Sequence, residues 1–428
     1  MAPPKPLQID GQVGEGGGQL VRLACGLAAV TSTPIRIVNV RGRRGAGGAR
    51  GGGLKAQHVT ALSWLAQATR AEVRGLEVGS RSLEFRPTTA AALDRPRIEI
   101  VAGSSAASAL LVFQAIFPYL LFAGCEEGDA PIEIELHGGT NVAFSLSYEY
   151  FDQVLLPTLQ ARFGIRVERQ LRARGWSAGP AKKGCVWLRF RPVPRGGTLK
   201  PVVVTAEEDL AVAEIDVSML VPSAVQAPLQ EALVRDLDER FPGVDVRFTV
   251  VEDSGHEARM YALLVARTET GGRCWGRDYL YDRARKNKTP RQLAAEISRK
   301  VCEDLFEEVG RGGAVDEHLQ DQLVVFQALA EGRTSFPRGD EPVAGAETQF
   351  KGGSGGSDDD KGDDGLGSDM ESLDIGEKRM RKDKTHEPFG EGSLHTTTAR
   401  WVVSQLLPSV KWFNNGSICD GAGVSFSA

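Results

Sequence analysis

Apolar residues between residues 7 and 163 switch repeatedly between an alternating and a helical spacing, and this switching most restricts how the chain can fold. Alternating apolar residues predict strands, whereas apolar residues three and four apart predict helices. The predicted strands are 7–10, 34–40, 72–78, 82–85, 97–101 and 131–137, and the predicted helices are 16–31, 54–68, 106–123 and 147–163. The order strand, helix, strand, helix, strands recurs about every 80 to 100 residues, which predicts a mixed α/β (α+β) fold of repeated units.

Residues 185–285 have a different pattern, with several strands around one amphipathic helix at 224–241. The predicted strands there begin near residues 185, 199, 211, 244 and 261. Helices are predicted again at 290–309 and 317–330, then at 400–407, before a final strand pair at 409–413 and 423–427. The pattern predicts a large domain formed by residues 1–184, 286–333 and 392–428, with a small inserted α/β domain at 185–285.

Residues 334–391 interrupt this order with an acidic, low-complexity segment that contains KGGSGGSDDDKGDDGLGSD. Low hydrophobicity and high charge predict a disordered insertion. Residues 340–391 carry fifteen acids and seven bases, whereas residues 1–60 carry eight Lys or Arg and two acids. The net charge of −5 therefore conceals a basic N-terminal surface and does not exclude a nucleic-acid partner. KRMRKDK at 378–384 is either a nuclear address or a solvated charge run.

The cysteines, the first residues and the lengths of the apolar runs indicate the cellular compartment of the protein. Six scattered cysteines without a zinc-type spacing are typical of a reducing environment. The first residues lack the apolar core of a signal peptide, and no run of about 18 apolar residues predicts a membrane span. We therefore expect a protein that is neither secreted nor bound to a membrane, in the nucleus or otherwise in the cytoplasm.

Five glycines stand between the first strand and the first helix, in the stretch IDGQVGEGGGQ at 9–19. Glycines let backbone N–H groups approach an anion closely, although a plain turn explains them equally well. The stretch is not a Walker loop, because no Gly-Lys-Ser/Thr follows, and it is a poor dinucleotide fingerprint. Glu15 within it would repel a phosphate unless a divalent cation lay between them, which indicates a metal site.

A second candidate segment is the loop RGRRGAGGAR at 41–50, which continues to Lys55, Gln57 and His58. Arginines on a glycine loop suit bidentate phosphate contacts, although a solvated basic loop is the simpler explanation. Arg22, one to two helical turns after the glycine turn, favours convergence of both segments on one anion.

Three further segments contain side chains suited to chemistry. HGGTN at 137–141 precedes a helix and is either a binding turn or a helix cap. EHLQDQ at 317–322 begins a helix, where Asp and Gln side chains could contact a base edge or simply face water. SLHTTT at 393–398 contains His395, and a neutral imidazole there could attack phosphorus if its other nitrogen is held by a neighbour, although lone histidines are usually structural.

Taken together, these segments resemble the RNA 3′-terminal phosphate cyclase family. The matching stretches are DGQVGEGGGQLVRLACGLA, GLKAQHVTAL, SSAASALLVFQ, HGGTNV with YFDQVLLPTL, EHLQDQLVVFQALA and SLHTTTARWVVSQLLP, in the family's order over residues 7 to about 413. The resemblance implies repeated βαβαββ units like the C-terminal domain of translation initiation factor three, with a smaller insert. It also implies ATP-dependent, ligase-type conversion of an RNA 3′-phosphate to a 2′,3′-cyclic phosphodiester through an adenylyl-histidine.

The resemblance further implies a role for individual residues. His395 matches the nucleophilic histidine, and Glu15 matches the glutamate that contacts Mg²⁺ or Mn²⁺. The implied phosphate-contacting residues are Arg22, Arg41, Arg44, Gln57 and His58. The implied nucleotide-binding residues are Gly16, Gly17, Gln114, His318, Leu319, Gln320, Asp321 and Gln322, with Asp321 and Gln322 nearest the adenine.

The chain departs from the family pattern at Ala399, where Asn is usual, and at Ala56, where Arg is common. The extra glycines of the arginine loop leave the alignment of its arginines open. Two other functions therefore stay in view. One is a catalytically inactive relative in ribosomal RNA processing, against which His395 argues. The other is an enzyme similar to enolpyruvyl transferases, whose fold has related repeats. The physiological RNA and the oligomeric state stay open.

Overall fold

The computed structural model describes residues 4–45, 51–88, 92–93, 95–125, 130–201, 211–269, 272–281, 288–337 and 380–426. The mixed α/β prediction is confirmed, because several sheets alternate with helices. The strands are β1 Leu7–Asp10, β2 Ile35–Val38, β3 Glu72–Arg74, β4 Leu83–Arg86, β5 Ala92–Leu93, β6 Arg97–Val101, β7 Gly124–Cys125, β8 Ile132–Gly138, β9 Val167–Ala173, β10 Gly184–Phe190, β11 Val212–Val221, β12 Asp245–Asp253, β13 Tyr261–Thr268, β14 Cys274–Leu280, β15 Glu331–Ser335, β16 Lys411–Phe413 and β17 Ile418–Ala422. The α-helices are α1 Gly18–Thr31, α2 Ala56–Ala68, α3 Ala109–Leu120, α4 Tyr148–Tyr150, α5 Leu156–Phe163, α6 Ser223–Arg240, α7 Pro290–Gly310, α8 Glu317–Leu329 and α9 Leu394–Leu406.

Two four-stranded sheets share one topology. The first has the order β1-β2-β4-β3, and the second has the order β6-β8-β10-β9. In both, the first two strands are parallel and the remaining pairs are antiparallel. Helix α1 connects β1 to β2, and α3 lies between β6 and β8 in the chain, so each parallel pair is joined through a helix. A π-helical turn, Phe151–Leu155, joins α4 to α5 into one long helical segment.

A three-stranded antiparallel sheet of order β15-β17-β16 lies near the C-terminus. Helix α8 precedes β15, and α9 precedes β16. Helices α1, α3, α8 and α9 contribute to the larger hydrophobic core, together with the inner faces of the sheets. Every residue of α1 from Gln19 to Val30 is buried, because the helix is covered on all sides. None of the described helices is long and apolar enough to cross a bilayer.

A second, smaller core lies between the sheet β12-β11-β13-β14 and the helices α6 and α7. It runs in sequence from Ile215 to Leu305, which differs from the predicted insert at 185–285. Strand β10 pairs with β8 and β9 and so belongs to the second large sheet, while α7 packs against the small sheet. Strand β14 was not predicted, and residues 202–206 of the strand predicted from 199 lie outside the described residues. The division into domains otherwise stays a prediction.

The predicted disordered insertion at 334–391 has ordered parts at both ends. Strand β15 extends to Ser335, and Lys382 forms a β-bridge with Phe413. Residues 338–379 of the prediction lie outside the described residues. Two other boundaries differ: α9 begins at Leu394 rather than at residue 400, and the last strand is Ile418–Ala422 rather than 423–427. The earlier helix start follows from the Ser393 hydroxyl, which accepts the Thr396 N–H and caps the helix.

Candidate active site

The first turns of five helices reach one cavity of about 720 Å³. The cavity is lined by Gln19 of α1, His58 of α2, Leu110 of α3, His318 of α8 and His395 of α9. The free N–H groups and dipoles of helix N-termini favour negative charge. Aromatic side chains, among them Phe113, Phe117, Phe151 and Phe326, line the rest of the cavity. The site therefore combines an anion-attracting end with an apolar region, in a cavity of a volume typical of small-molecule sites.

His395 lies in the first turn of α9, and its Nδ1 is 3.0 Å from Gln19 Oε1. Because an amide oxygen only accepts, this bond requires the imidazole proton on Nδ1. The neutral ring then carries a lone pair on Nε2. Burial lowers the pKa of His395 below 6.5, the Glu15 carboxylate partly opposes this shift, and the Arg22 guanidinium reinforces it. The ring is therefore neutral and nucleophilic at neutral pH.

The glycine turn docks directly on α9. The Glu15 backbone N–H donates to Thr398 Oγ1 at 2.9 Å, and that hydroxyl donates to the Leu394 carbonyl at 2.6 Å. Gly14 has a φ of 64°, and a Cβ there would lie 2.0 Å from Thr398 Oγ1. Only glycine fits this contact, which ties the two halves of the site together.

The Glu15 carboxylate is buried at the cavity, with a side-chain exposure of 3%. It accepts the Gln19 backbone N–H at 3.2 Å and pairs with Arg44 at 3.2 Å. The Arg44 side chain is half exposed. A carboxylate among arginines that face an anion site has the chemistry to contact a hard divalent cation together with a substrate phosphate, because Mg²⁺ is usually held in this way.

A chain of hydrogen-bonded polar side chains also lines the cavity. Arg22 Nε donates to Gln114 Oε1 at 2.7 Å, Gln114 donates to Gln322, and Gln322 donates to Asp321. Burial raises the pKa of Asp321 to about 7, although the Gln322 hydrogen bond and the Arg22 charge oppose this shift. Burial lowers the pKa of Arg22 to about 10, so the guanidinium remains charged at neutral pH.

His58 and Arg41 also line the cavity. His58 Nδ1 accepts the Lys55 backbone N–H at 3.0 Å, so Nε2 carries the proton of the neutral ring. Burial and the nearby Arg22 charge lower the pKa of His58 well below 6.5. Nε2 is buried without a hydrogen-bond partner among the described residues, so it is a free donor for an anion. Arg41, at a φ of 53°, donates to the carbonyls of Gly51 and Gly53 at 3.0 and 3.2 Å.

The cavity brings together most of the predicted site residues, and the spacing on α8 explains two of the four exceptions. The predicted residues that line it are Glu15, Arg22, Arg41, Arg44, Gln57, His58, Gln114, His318, Asp321, Gln322 and His395. Leu319 and Gln320 do not line it and are buried. Positions 318, 321, 322 and 325 of α8 share one face, so the two residues between them face the protein interior.

Gly16 and Gly17 also do not line the cavity. A Cβ at Gly16 would lie 2.6 Å from the Arg43 side chain, and one at Gly17 would lie 2.1 Å from the Glu15 carboxylate. These glycines therefore shape the turn that places Glu15 and Arg43. The predicted roles of all these residues stay predictions, and Arg50 lies outside the described residues.

Gln19 and Asp278 are two polar residues of the cavity that were not predicted as site residues. Gln19 belongs to the glycine stretch, and its polarity in the first turn of a buried helix was the available signal. Asp278, on β14, lines the same cavity and accepts the Tyr261 hydroxyl at 3.0 Å. Nothing in the pattern of the strand CWGRDYL indicated that this carboxylate would meet a cavity formed by other parts of the chain.

A family model described as RNA 3′-terminal phosphate cyclase matches residues 13–349. A protein of Ignicoccus hospitalis named RNA 3′-terminal phosphate cyclase is 34% identical over 332 residues, which is 77% of this chain and 86% of that protein. A protein of the same name from Methylococcus capsulatus is 34% identical over 339 residues, covering 77% and 85%. These archaeal and bacterial relatives give no support to the predicted nuclear location.

Proposed function

This chain belongs to the RNA 3′-terminal phosphate cyclase family, and from this premise we propose that it uses ATP to convert an RNA 3′-terminal phosphate to a 2′,3′-cyclic phosphodiester. The observation that carries the proposal is the neutral His395 imidazole, with Nδ1 bonded to Gln19, at a cavity that attracts anions. ATP and RNA are the two substrates. Chemistry proceeds through an adenylyl-histidine at His395.

The first step is nucleotidyl transfer to the protein. The lone pair of His395 Nε2 attacks the α-phosphorus of ATP, the Nε2–P bond forms, and the bond from phosphorus to the bridging oxygen breaks to release pyrophosphate. Gln19 keeps the proton on Nδ1, and its hydrogen bond with this N–H strengthens as the ring becomes positive. Arg22, Arg44 and the His58 N–H donor face the charge that develops on the phosphate oxygens.

The second and third steps use the RNA end. An oxygen of the RNA 3′-phosphate attacks the α-phosphorus of the adenylylated histidine, the P–N bond breaks, and an RNA–adenylate forms. The vicinal 2′-OH then loses its proton and attacks the RNA phosphorus, and AMP leaves with the electrons of the broken P–O bond. Ring closure is intramolecular, so correct orientation alone gives a large advantage.

Glu15 is the residue that would hold a divalent cation such as Mg²⁺ or Mn²⁺. This buried carboxylate would supply one oxygen ligand, and phosphate oxygens of the substrate would supply others. When bound, the ion neutralises phosphate charge. His318, Gln114, Asp321 and Gln322 also line the cavity, and in this proposal they hold the adenosine portion of ATP.

We also propose that the large part of the fold is built from repeats of one unit. The sheets β1-β2-β4-β3, β6-β8-β10-β9 and β15-β17-β16 correspond to three copies of one βαβαββ unit, and the sheet with α6 and α7 is an inserted small domain. The shared order of the first two sheets supports this interpretation. The β2-β4-β3 part of the first sheet has the same antiparallel order as β15-β17-β16.

The test is transfer of label from α-³²P-ATP to the protein with Mg²⁺ or Mn²⁺. We expect acid-labile label on the wild-type chain and none on His395→Ala. His386→Ala is the matched control, because His386 is exposed and pairs only with its neighbour Glu387 in the described residues. Equal labelling of His395→Ala and His386→Ala would refute His395 as the carrier.

The second measurement separates the enzyme from a non-catalytic relative. RNA that ends in a 3′-phosphate should become resistant to phosphatase after incubation with the protein and ATP, whereas RNA that ends in a 3′-OH should not change. Binding of ribosomal RNA precursors without ATP binding or end conversion would favour the inactive relative instead.

A further inference from the structure

The outer face of the sheet β6-β8-β10-β9 carries a group of potential metal ligands that the proposed reaction does not use. Glu135 and His137 stand two residues apart on β8 and so share one face of the sheet. Cys185 is the register partner of His137 on β10, and Glu99 is the partner of Glu135 on β6. Three strands therefore contribute a thiol, an imidazole and two carboxylates to one patch.

The donor atoms are already close together. Oε1 of Glu135 lies 3.3 Å from both His137 Nε2 and Cys185 Sγ, and Glu99 Oε1 lies 3.4 Å from His137 Nε2. One donor atom from each of Glu135, His137 and Cys185 lies within 4.8 Å of the others. With metal–ligand bonds of about 2.0–2.3 Å, the ligand atoms of a tetrahedral ion are about 3.3 to 3.8 Å apart. The Glu135–His137 and Glu135–Cys185 distances of 3.3 Å and the Glu99–His137 distance of 3.4 Å lie within this range.

The donor atoms of the cluster mostly face one another, and the Cys185 thiol donates to Glu135 Oε1. His137 Nε2 is buried and makes no hydrogen bond in the described part of the chain. Glu135 uses its other oxygen, Oε2, to pair with Arg172, which leaves Oε1 directed toward the imidazole and the thiol. Arg172 also stacks over Trp187 at 5.9 Å, so it can orient the carboxylate without occupying the space between the ligands.

We propose that Glu135, His137 and Cys185, with Glu99 as fourth ligand, bind a divalent cation of the zinc class on this face. Sulfur and imidazole ligands select zinc and its neighbours rather than magnesium, which prefers oxygen. The site is distinct from the Glu15 cavity. It joins three of the four strands of this sheet, β6, β8 and β10, near the C-terminal end of β8, so the bound ion stabilises the sheet.

The most direct test is titration of the metal-free full-length protein with Co²⁺, which occupies zinc sites and reports thiolate coordination by a near-ultraviolet charge-transfer band. We expect one saturable band per chain in the wild type. Cys185→Ser should abolish the band, and His137→Gln should weaken Co²⁺ binding by about 10-fold or more. Cys274→Ser is the matched control, because this thiol is outside the cluster and should leave the band intact.

Two further readouts keep the assignment specific. Glu15→Gln should leave the thiolate band unchanged, because that carboxylate belongs to the other cavity. Zn²⁺ should raise the thermal midpoint of the wild type but not that of Cys185→Ser, with far-ultraviolet circular dichroism verifying that the metal-free variants are folded. Absence of a band in the wild type, or a band that persists in Cys185→Ser, would overturn the proposal.

Discussion

Gln19 and His395 are 376 residues apart in the chain, yet one hydrogen bond between them defines which imidazole nitrogen can react. The bond keeps the proton on Nδ1 and frees Nε2. The motifs predicted both the glycine turn and the histidine, but no sequence pattern connects two residues so far apart. The pairing depends on α1 packing against α9, which arises only when the large core forms.

Replacing Gln19 should therefore slow adenylylation without abolishing nucleotide binding. Gln19→Leu removes the acceptor for Nδ1–H, and the loss of a hydrogen bond worth about 1.4 kcal/mol corresponds to a rate decrease of about 10-fold. Single-turnover labelling with α-³²P-ATP measures this rate. Gln12→Leu, an exposed position in the same turn, is the control. Equal rates in the two variants would show that Gln19 does not orient the ring.

The pH dependence of labelling follows from the depressed pKa of His395. Only the neutral ring attacks, so labelling falls as the pH drops through that pKa, and burial places the midpoint below 6.5. The Arg44 charge contributes to the depression, so Arg44→Gln should move the midpoint upward. Initial labelling rates between pH 5 and 8 test both statements. A wild-type midpoint above 6.5 would contradict the first.

Asp321 should make the folded protein less stable as the pH rises. Its pKa is about 7 in the folded chain and near 3.8 when unfolded, so the folded state retains a proton that the unfolded state has lost. Stability from this group is therefore full below pH 4 and is lost progressively up to about pH 7. The thermal midpoint of Asp321→Asn, relative to wild type, should rise over this window. A constant difference between the two proteins would contradict the assignment.

The helices and strands themselves were largely predictable, because most lie half-buried and show a clear apolar period. The start of α9 and strand β14 were not predicted correctly, because the apolar period of their sequences is weak. SLHTTT has no apolar face, so only the Ser393 cap indicates that α9 begins before His395. CWGRDYL contains glycine and two charged residues, yet it forms β14 because neighbouring elements pair or cover its polar side chains.

The close contact between the glycine turn and α9 can be tested at Gly14, with Gly164 as the control position. Gly14 and Gly164 have φ values of 64° and 68°, so alanine at either position carries about 1 kcal/mol or more of backbone strain. A Cβ at Gly14 would also collide with Thr398, whereas nothing lies within 4 Å at Gly164. Gly14→Ala should therefore lower the thermal midpoint more and reduce His395 labelling. Equal effects would show that the close contact is unimportant.

At the scale of the whole molecule, the two cores are joined by a buried charged network that composition could not reveal. Arg277 of β14 pairs with Glu308 of α7, and its guanidinium lies 3.7 Å from Asp316, the residue that caps α8. Sequence patterns predicted a small insert at 185–285, whereas the smaller core spans Ile215 to Leu305, because β10 pairs within the second large sheet and α7 packs against the small one. Which sheet an element joins is decided by long-range packing.

Removing the cation from this network should destabilise the protein strongly. Arg277→Leu leaves the buried Glu308 without its main counter-charge, which costs about 3–5 kcal/mol. The exposed Lys300–Asp304 pair on α7 is the control, because Lys300→Leu should change stability by less than about 1 kcal/mol. Urea unfolding monitored by tryptophan fluorescence gives both values. A similar loss in the two variants would contradict the importance of the buried network.

The ordered flanks of the long acidic segment meet on opposite sides of a single hairpin. Phe336 donates its N–H to the Ser417 carbonyl at 3.1 Å, and Asn414 donates its N–H to the Arg381 carbonyl at 2.9 Å. The described residues that flank 338–379 thus lie beside one four-residue turn, 414–417. Because the entropy of closing an inserted segment changes only slowly with its length, we expect insertions or deletions within 338–379 to change the stability of the fold little. Sequence can then be added between these two flanks while the surroundings of His395 keep their shape.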